Sequence, residues 1–158
     1  MKTILIFSDT HGNRTALRKA YPIMKETDYI FHLGDGARDM IEFGDIFDKL
    51  YAVDGNCDLG VTGSREMVVE IEDRKILLTH GDIYGVKRGT DFLLSYAKKI
   101  GVDIVLYGHT HSKSIVEKDN ILMINPGSLS YSTAEKSCCY LVINGKNAVA
   151  TLNEKIFL

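Results

Sequence analysis

The stretch "TILIFSDTHG", Thr3 to Gly12, runs through four β-favouring apolar residues and then turns polar at Ser8, Asp9 and His11. It reads as a buried strand whose end carries chemistry. The same construction recurs. "YIFHLGD" ends at Asp35, "LYAVDGNCD" at Asn56, Cys57 and Asp58, "KILLTHGD" at His80, and "DIVLYGHTH" at His109 and His111. Strand ends in α/β folds share an edge of the sheet, so polar residues far apart in the chain can meet there. In "DTH" and "HTH" the paired residues are two apart, which on an extended backbone points both to one face and lets each pair chelate. Glycines 34, 55, 81 and 108 permit sharp turns and close backbone approach to a ligand.

Ten short β-rich runs are present: the five above, "MVVEIE", "SIVEK", "ILMI", "CCYLVI" and "AVATL". Helical patterns separate only some of them. Leu17, Ala20 and Met24 share one face of a first helix that Pro22 is expected to kink or shift. Thr90 is placed to cap a second helix lined by Leu93, Ala97 and Ile100 and ended by Gly101. "EDRK" and "INGKN" join strands into hairpins. The pattern predicts a mixed α/β sandwich, two sheets with helices outside, formed by one domain over residues 1–158.

Composition narrows the function. The 158 residues are 45% hydrophobic and 25% charged, and 19 basic against 21 acidic side chains give a net charge of -2. No broad cationic surface is available for a polyanion, so nucleic acid is not an obligatory partner. No run reaches transmembrane length, and the apolar start is interrupted by Ser8, Asp9 and His11 before a signal-peptide core forms. Cys57, Cys138 and Cys139, odd in number and unevenly spaced, read as free thiols in a cytoplasmic protein. Cys138 and Cys139 alternate on a strand and cannot bridge each other without strain.

Taken singly, each polar cluster fits a cap or a solvated pair. As an ordered set they supply two carboxylates, one carboxamide and four imidazoles, more donors than one tetrahedral ion uses. "DTH", "GD", "GNCD", "HG" and "GHTH", in that order, resemble the signature of the calcineurin-like metallophosphoesterases. The short chain and the later "NPGS" are similar to their small prokaryotic phosphodiesterase branch. The resemblance implies a four-layer sandwich of two mixed β-sheets flanked by helices. It also implies a dinuclear centre in which Asp9, His11 and His111 hold one divalent ion, Asn56, His80 and His109 the other, and Asp35 bridges them.

The implied activity is hydrolysis of a small phosphodiester by a metal-activated hydroxide. Two ions activate water and neutralise phosphoryl charge. An O/N donor set suits manganese first, with nickel, iron, cobalt and zinc also compatible, and is less natural for calcium. In much of the family the place of Cys57 holds a histidine assigned as the acid for the leaving group. A thiol is a poor substitute, so Cys57 reads here as a small buried filler, and Asp58, relieved of orienting that histidine, as an outer hydrogen-bonding partner. Asp35, Asn56, Cys57, Asp58 and His80 are the candidate catalytic set. Aryl phosphodiesters are expected to react better than substrates with poor leaving groups.

Four further residues need placing. His32, outside the motifs, reads as a packed strand histidine. Arg14 either reaches the phosphate or is an exposed residue at a helix start, and Asn125 and Ser128 read as support for the site. A protein-binding scaffold of the same fold, as in the retromer subunit, and a nuclease are the competing functions. Homo-oligomerisation is left open.

Overall fold

The computed structural model describes residues Met1–Leu158. Each of the ten apolar runs forms a strand: β1 Lys2–Phe7, β2 Tyr29–His32, β3 Leu50–Ala52, β4 Glu66–Ile71, β5 Arg74–Thr79, β6 Ile104–Leu106, β7 Ser114–Lys118, β8 Ile121–Asn125, β9 Cys138–Asn144 and β10 Asn147–Asn153. They make two five-stranded sheets, ordered β10-β9-β1-β2-β3 and β4-β5-β6-β8-β7. Within the first, β1, β2 and β3 are parallel; within the second, β5, β6 and β8 are parallel; the outer strands are antiparallel. Both sheets are therefore mixed, and each has a parallel centre whose strand ends lie on one edge.

Alternation along the strands builds the layers. Ile4 and Ile6 of β1 face Ile76, Leu78, Ile104 and Leu106 of the other sheet in a core between the sheets. Leu5 and Phe7 point the other way, onto Leu17, Ala20 and Met24 of helix α1, Arg14–Glu26. On the far side, Leu77 and Val105 pack against Leu93, Leu94 and Ala97 of helix α2, Asp91–Ile100. Strands covered on both faces must be apolar at every position, which is why β1 and β5 read as runs rather than alternations. Cys138 and Cys139 fall on opposite faces of β9, one in each core, and both are unpaired.

The helices differ from expectation at their ends. Pro22 lies within α1 without ending it, on the exposed side where a missing backbone bond costs least. Thr90 precedes α2 but makes no capping bond through its side chain. Gly101, at φ 70°, ends α2 as read, its N–H returning to Ala97. The 3₁₀ segments Ala37–Glu42 and Gly44–Lys49 between β2 and β3, and Asp82–Tyr84 and Val86–Arg88 before α2, left no periodic signal. Met40 and Ile46 from the first two, with Phe43 between them, complete the core under α1. No helix is long and apolar enough to cross a membrane.

Phe31, fully buried between the sheets, and Phe92, 79% exposed at the start of α2, give the layer assignment a direct test. Phe31→Ala should lower unfolding free energy by about 3–5 kcal/mol, whereas Phe92→Ala should change it by less than about 0.5 kcal/mol. Equal shifts of the urea midpoint for the two variants would contradict the packing described.

Candidate metal centre

The polar ends of β1, β2 and β3 meet those of β5 and β6 at one rim of the sandwich. Residues 100 positions apart are bonded there, as in the His109 N–H donated to Asp9 Oδ2 at 3.0 Å. Two separate groups of donor atoms form, each within 4.8 Å: Asp9, His11 and His111 in one, and Asp35, His80 and His109 in the other; Cys57 with His11 and Asp35 makes a third that overlaps both. Asn56 lies on the exposed turn after β3, where its Nδ2 donates to Cys57 Sγ at 3.4 Å. With Nδ2 so used, Oδ1 is the atom left to accept.

The local backbone is not the extended one expected. β1 stops at Phe7 and β6 at Leu106, so neither "DTH" nor "HTH" lies on a strand. Asp9, His11, Asp35, His109 and His111 all take left-handed φ, between 43° and 66°. Each such residue costs roughly a kcal/mol or more relative to a right-handed one. The pairs converge through matched left-handed residues, not through strand alternation. Likewise the glycines approach protein rather than ligand: a Cβ at Gly108 would collide with Ser8 Oγ, and one at Gly55 with the Asp35 carboxylate.

Each carboxylate divides its two oxygens. Asp9 Oδ2 accepts from Ser8 Oγ at 2.6 Å as well as from His109. Its Oδ1 is buried with no hydrogen-bond partner, although His111 Nε2 lies 3.1 Å away and His11 Nε2 3.7 Å. Asp35 Oδ1 accepts from Cys57 N at 2.8 Å, while Oδ2 faces His80 Nε2 at 3.3 Å and His11 Nε2 at 3.7 Å. His80 Nδ1 donates to the Leu33 carbonyl at 2.8 Å, which in the neutral ring leaves Nε2 as the lone-pair nitrogen. That nitrogen is 3.1 Å from His109 Nδ1. An orphaned carboxylate oxygen and facing imidazole nitrogens, all turned inward, fit divalent cations.

The electrostatics follow from this crowding. Burial alone would push the Asp9 carboxyl up, but the close imidazoles of His11 and His111, the charge of His80 and the Ser8 hydroxyl hold it well below the usual range. Burial acts the same way on Asp35, and His80 with the Cys57 N–H brings it down to about 2. Asp9 raises the basicity of His11. Burial opposes protonation of His80, yet Asp35 and Asp9 outweigh it and raise that ring too. His109 is lowered by burial and by its neighbour His80. Both carboxylates are thus ionised and available to a cation.

A surrounding frame holds these groups. Asn125 Nδ2 donates to the Gly108 carbonyl and Thr110 Oγ1, and Ser128 Oγ to the Asp9 carbonyl, matching the supporting role read for them. Asp58 accepts four backbone N–H groups, from Asp35, Gly36, Ala37 and Gly55, at 2.6 to 3.1 Å. It clamps the loop carrying Asp35 and has no oxygen to spare for orienting a side chain at position 57. Asp39, which sequence reasoning missed, takes the Thr10 hydroxyl and the Gly12 N–H and pairs with Arg14 at 3.8 Å. Nothing in "GARD" marks it. His32 is fully buried, its Nε2 3.2 Å from Thr10 Oγ1 and its Nδ1 accepting from Gly34 N, outside both donor groups. The filler reading of Cys57 is wrong. Its thiol is exposed, because the short turn after β3 lies over the rim and not inside it.

Known proteins resemble this chain in sequence and fold. A protein from Methanocaldococcus jannaschii, phosphodiesterase MJ0936, is 33% identical over 141 residues, 77% of this chain and 81% of its own length. The crystal structure of a predicted phosphoesterase from Streptococcus pneumoniae superposes with a TM-score of 0.80 at 26% identity, covering 96% of this chain and 88% of the other. A single mutant of Vps29 from Entamoeba histolytica superposes with a TM-score of 0.77 over 95% of this chain and 91% of its own; at 21% identity that likeness concerns the fold alone. The model of the calcineurin-like phosphoesterase superfamily domain matches residues 1–148. With its two mixed sheets, its rim of inward-turned donors and this match over nearly the whole length, the chain belongs to the calcineurin-like phosphoesterase superfamily.

Proposed function

We propose that the chain is a metal-dependent phosphodiesterase with a dinuclear centre. Asp9, His11 and His111 hold one divalent ion, Asn56, His80 and His109 the other, and Asp35 spans both. The observation that carries this reading is the buried, unpartnered Asp9 Oδ1 amid imidazole nitrogens. A bare anionic oxygen there is costly, and a cation is the partner that removes the cost. When bound, such ions lower the pKa of water and neutralise the charge on phosphoryl oxygens.

The residues of the chain have separate tasks in that reaction. The Leu33 carbonyl fixes the His80 tautomer, and the Ser8 hydroxyl with the His109 N–H fixes the Asp9 carboxylate. Asp58 sets the loop that presents Asp35. No imidazole stands at position 57 to protonate a leaving group, and the Cys57 thiol is made less acidic by burial of its surroundings and by Asp35. A missing general acid is worth about 10² to 10⁴ in rate for substrates that need one. The natural substrate is therefore read as a small phosphodiester with a stable leaving group. The scaffold alternative keeps no use for the six gathered carboxylate and imidazole donors, and the net charge of -2 speaks against a nuclease track.

Asp35→Asn removes one negative charge and the oxygen pair best suited to two ions. Metal content measured by elemental analysis should fall, and diester hydrolysis should drop at least about a hundredfold, since even outer partners of metal ligands cost about 10 to 100-fold. Retention of two ions and near-normal turnover would refute the bridge. His32→Gln, as a control outside the donor groups, should keep both metal content and turnover; metal loss in a folded variant would make His32 a ligand.

Leaving-group dependence supplies the second test. Loaded with manganese, the protein should cleave bis(4-nitrophenyl) phosphate with kcat/KM at least about 10² above that for a dialkyl ester of similar size. A flat dependence on leaving-group pKa would mean that another group on the chain provides the proton.

A further inference from the structure

The turn that follows His80 builds a cavity that the two donor groups leave unused. It has a volume of about 470 Å³ and is lined by Ile83, Tyr84, Gly85, Arg88, Phe92 and Tyr96. That volume is within the range of small-ligand clefts, about 300–1,000 Å³. Its place beside the rim is fixed by hydrogen bonds. The Gly81 carbonyl accepts from Tyr84 N at 3.1 Å and from Val86 N at 3.4 Å, so the lining turn folds back onto the residue next to His80. Gly81 itself must be bare, at φ 100° and with Val86 Cγ2 2.9 Å from where a Cβ would stand. On the other side Glu66 lies opposite Thr79 in the β4–β5 register, one residue before His80. Its carboxylate accepts from the hydroxyls of Tyr84 and, at 2.7 Å, of Tyr96. The two rings so tied are stacked, with 5.0 Å between centroids and 25° between planes.

We infer that this cavity takes a flat aromatic group of the phosphodiester, an aryl ring or a nucleobase, while the phosphate lies at the metal centre. The inference rests on the metal-centre reading above and adds the substrate class to it. Because their hydroxyls are held by Glu66, the tyrosine rings offer a wall of fixed orientation, and packing a ring against them costs little side-chain freedom. Ile83 and Phe92 of the same cavity are 51% and 79% exposed, apolar area that a bound ring would remove from water. Arg88, also exposed, adds a guanidinium of the kind that stacks on aromatic planes. The cavities that include the donors themselves, one with His111 and one with His11 and Asp35, are lined mainly by polar side chains and offer no aromatic ring beyond imidazole. From His80 to Ile83 is three residues, at most about 11 Å of chain, so a ring in the cavity and a phosphate at the centre are within reach of one small molecule.

The test is calorimetric titration of the manganese-loaded, full-length protein with phenylphosphonate and with methylphosphonate, which share the metal-binding group and differ in the ring. In the wild type the ratio of the two dissociation constants should favour the phenyl compound at least about tenfold, the scale of one buried aromatic contact. In Phe92→Ala, and separately in Ile83→Ala, that ratio should fall at least about threefold. Both side chains are exposed, so the variants should keep the fold, which circular dichroism and the urea midpoint check. Equal affinities for the two phosphonates in the wild type, or a ratio that neither variant lowers, would overturn the inference and leave the centre standing. Binding of neither phosphonate would remove the centre as the anchor, and this inference with it.

Discussion

The Asp9 carboxylate is the constraint on which the rim depends. An ionised carboxylate in a dry setting is unfavourable by several kcal/mol unless both oxygens are met. Here Oδ2 is met by Ser8 from its own strand end and by His109 from the other sheet, while Oδ1 is left to the imidazoles. The bond to His109 fastens the end of β1 to the end of β6, so the same group that faces the cluster also sets the spacing of the two sheets there. Asn125, at the end of β8, and Ser128, just after it, hold the backbone on either side of that bond. Removing Asp9 would therefore loosen the rim as well as the centre.

The two sheets contribute different chemistry. β1, β2 and β3 bring both carboxylates, the Asn56 amide and His11; β5 and β6 bring His80, His109 and His111. Neither sheet alone collects a complete donor set. Whatever cation binds the closed rim binds the folded sandwich and not the open one, and so adds to stability by mass action. Left-handed φ at five of the nine non-glycine positions where it occurs is concentrated on these donors. Strain of this kind persists where surrounding bonds over-determine it, and the Asp58 clamp, the Asn125 bonds and the Asp39 bonds are those determinants.

Much of this was legible from the chain, and the parts that were not share a physical cause. The strands could be read because each needs a run of apolar residues to fill a core on one face or both, and ten runs produced ten strands. Leu17, Ala20 and Met24 identified the buried face of α1 for the same reason. The "DTH" and "HTH" spacings suggested convergence correctly but through the wrong backbone. Left-handed conformations of Asp and His leave no mark in composition, and only the hydrogen bonds around them reveal them. The same holds for Asp39 and for the clamp at Asp58, whose bonding partners are distant in sequence, and the 3₁₀ segments are too short to show a period. Free cysteine is commonly a small buried apolar residue, but Cys57 is exposed because this turn crosses the rim.

The "GNCD" turn separates frame from chemistry within four residues. Gly55 must be bare to pass the Asp35 carboxylate, and Asp58 spends both oxygens on four backbone N–H groups. The backbone of residue 57 is used as well, its N–H holding Asp35. Only the side chain of residue 57 is unused by the frame, and it projects, exposed, over His11 and Asp35. A change of residue type there leaves the loop, the clamp and Asp35 as they are while placing a different functional group against His11 and Asp35. Position 57 is thus a place where the chemistry presented at the rim can be altered at little structural cost, and a thiol there in place of an imidazole removes a proton donor.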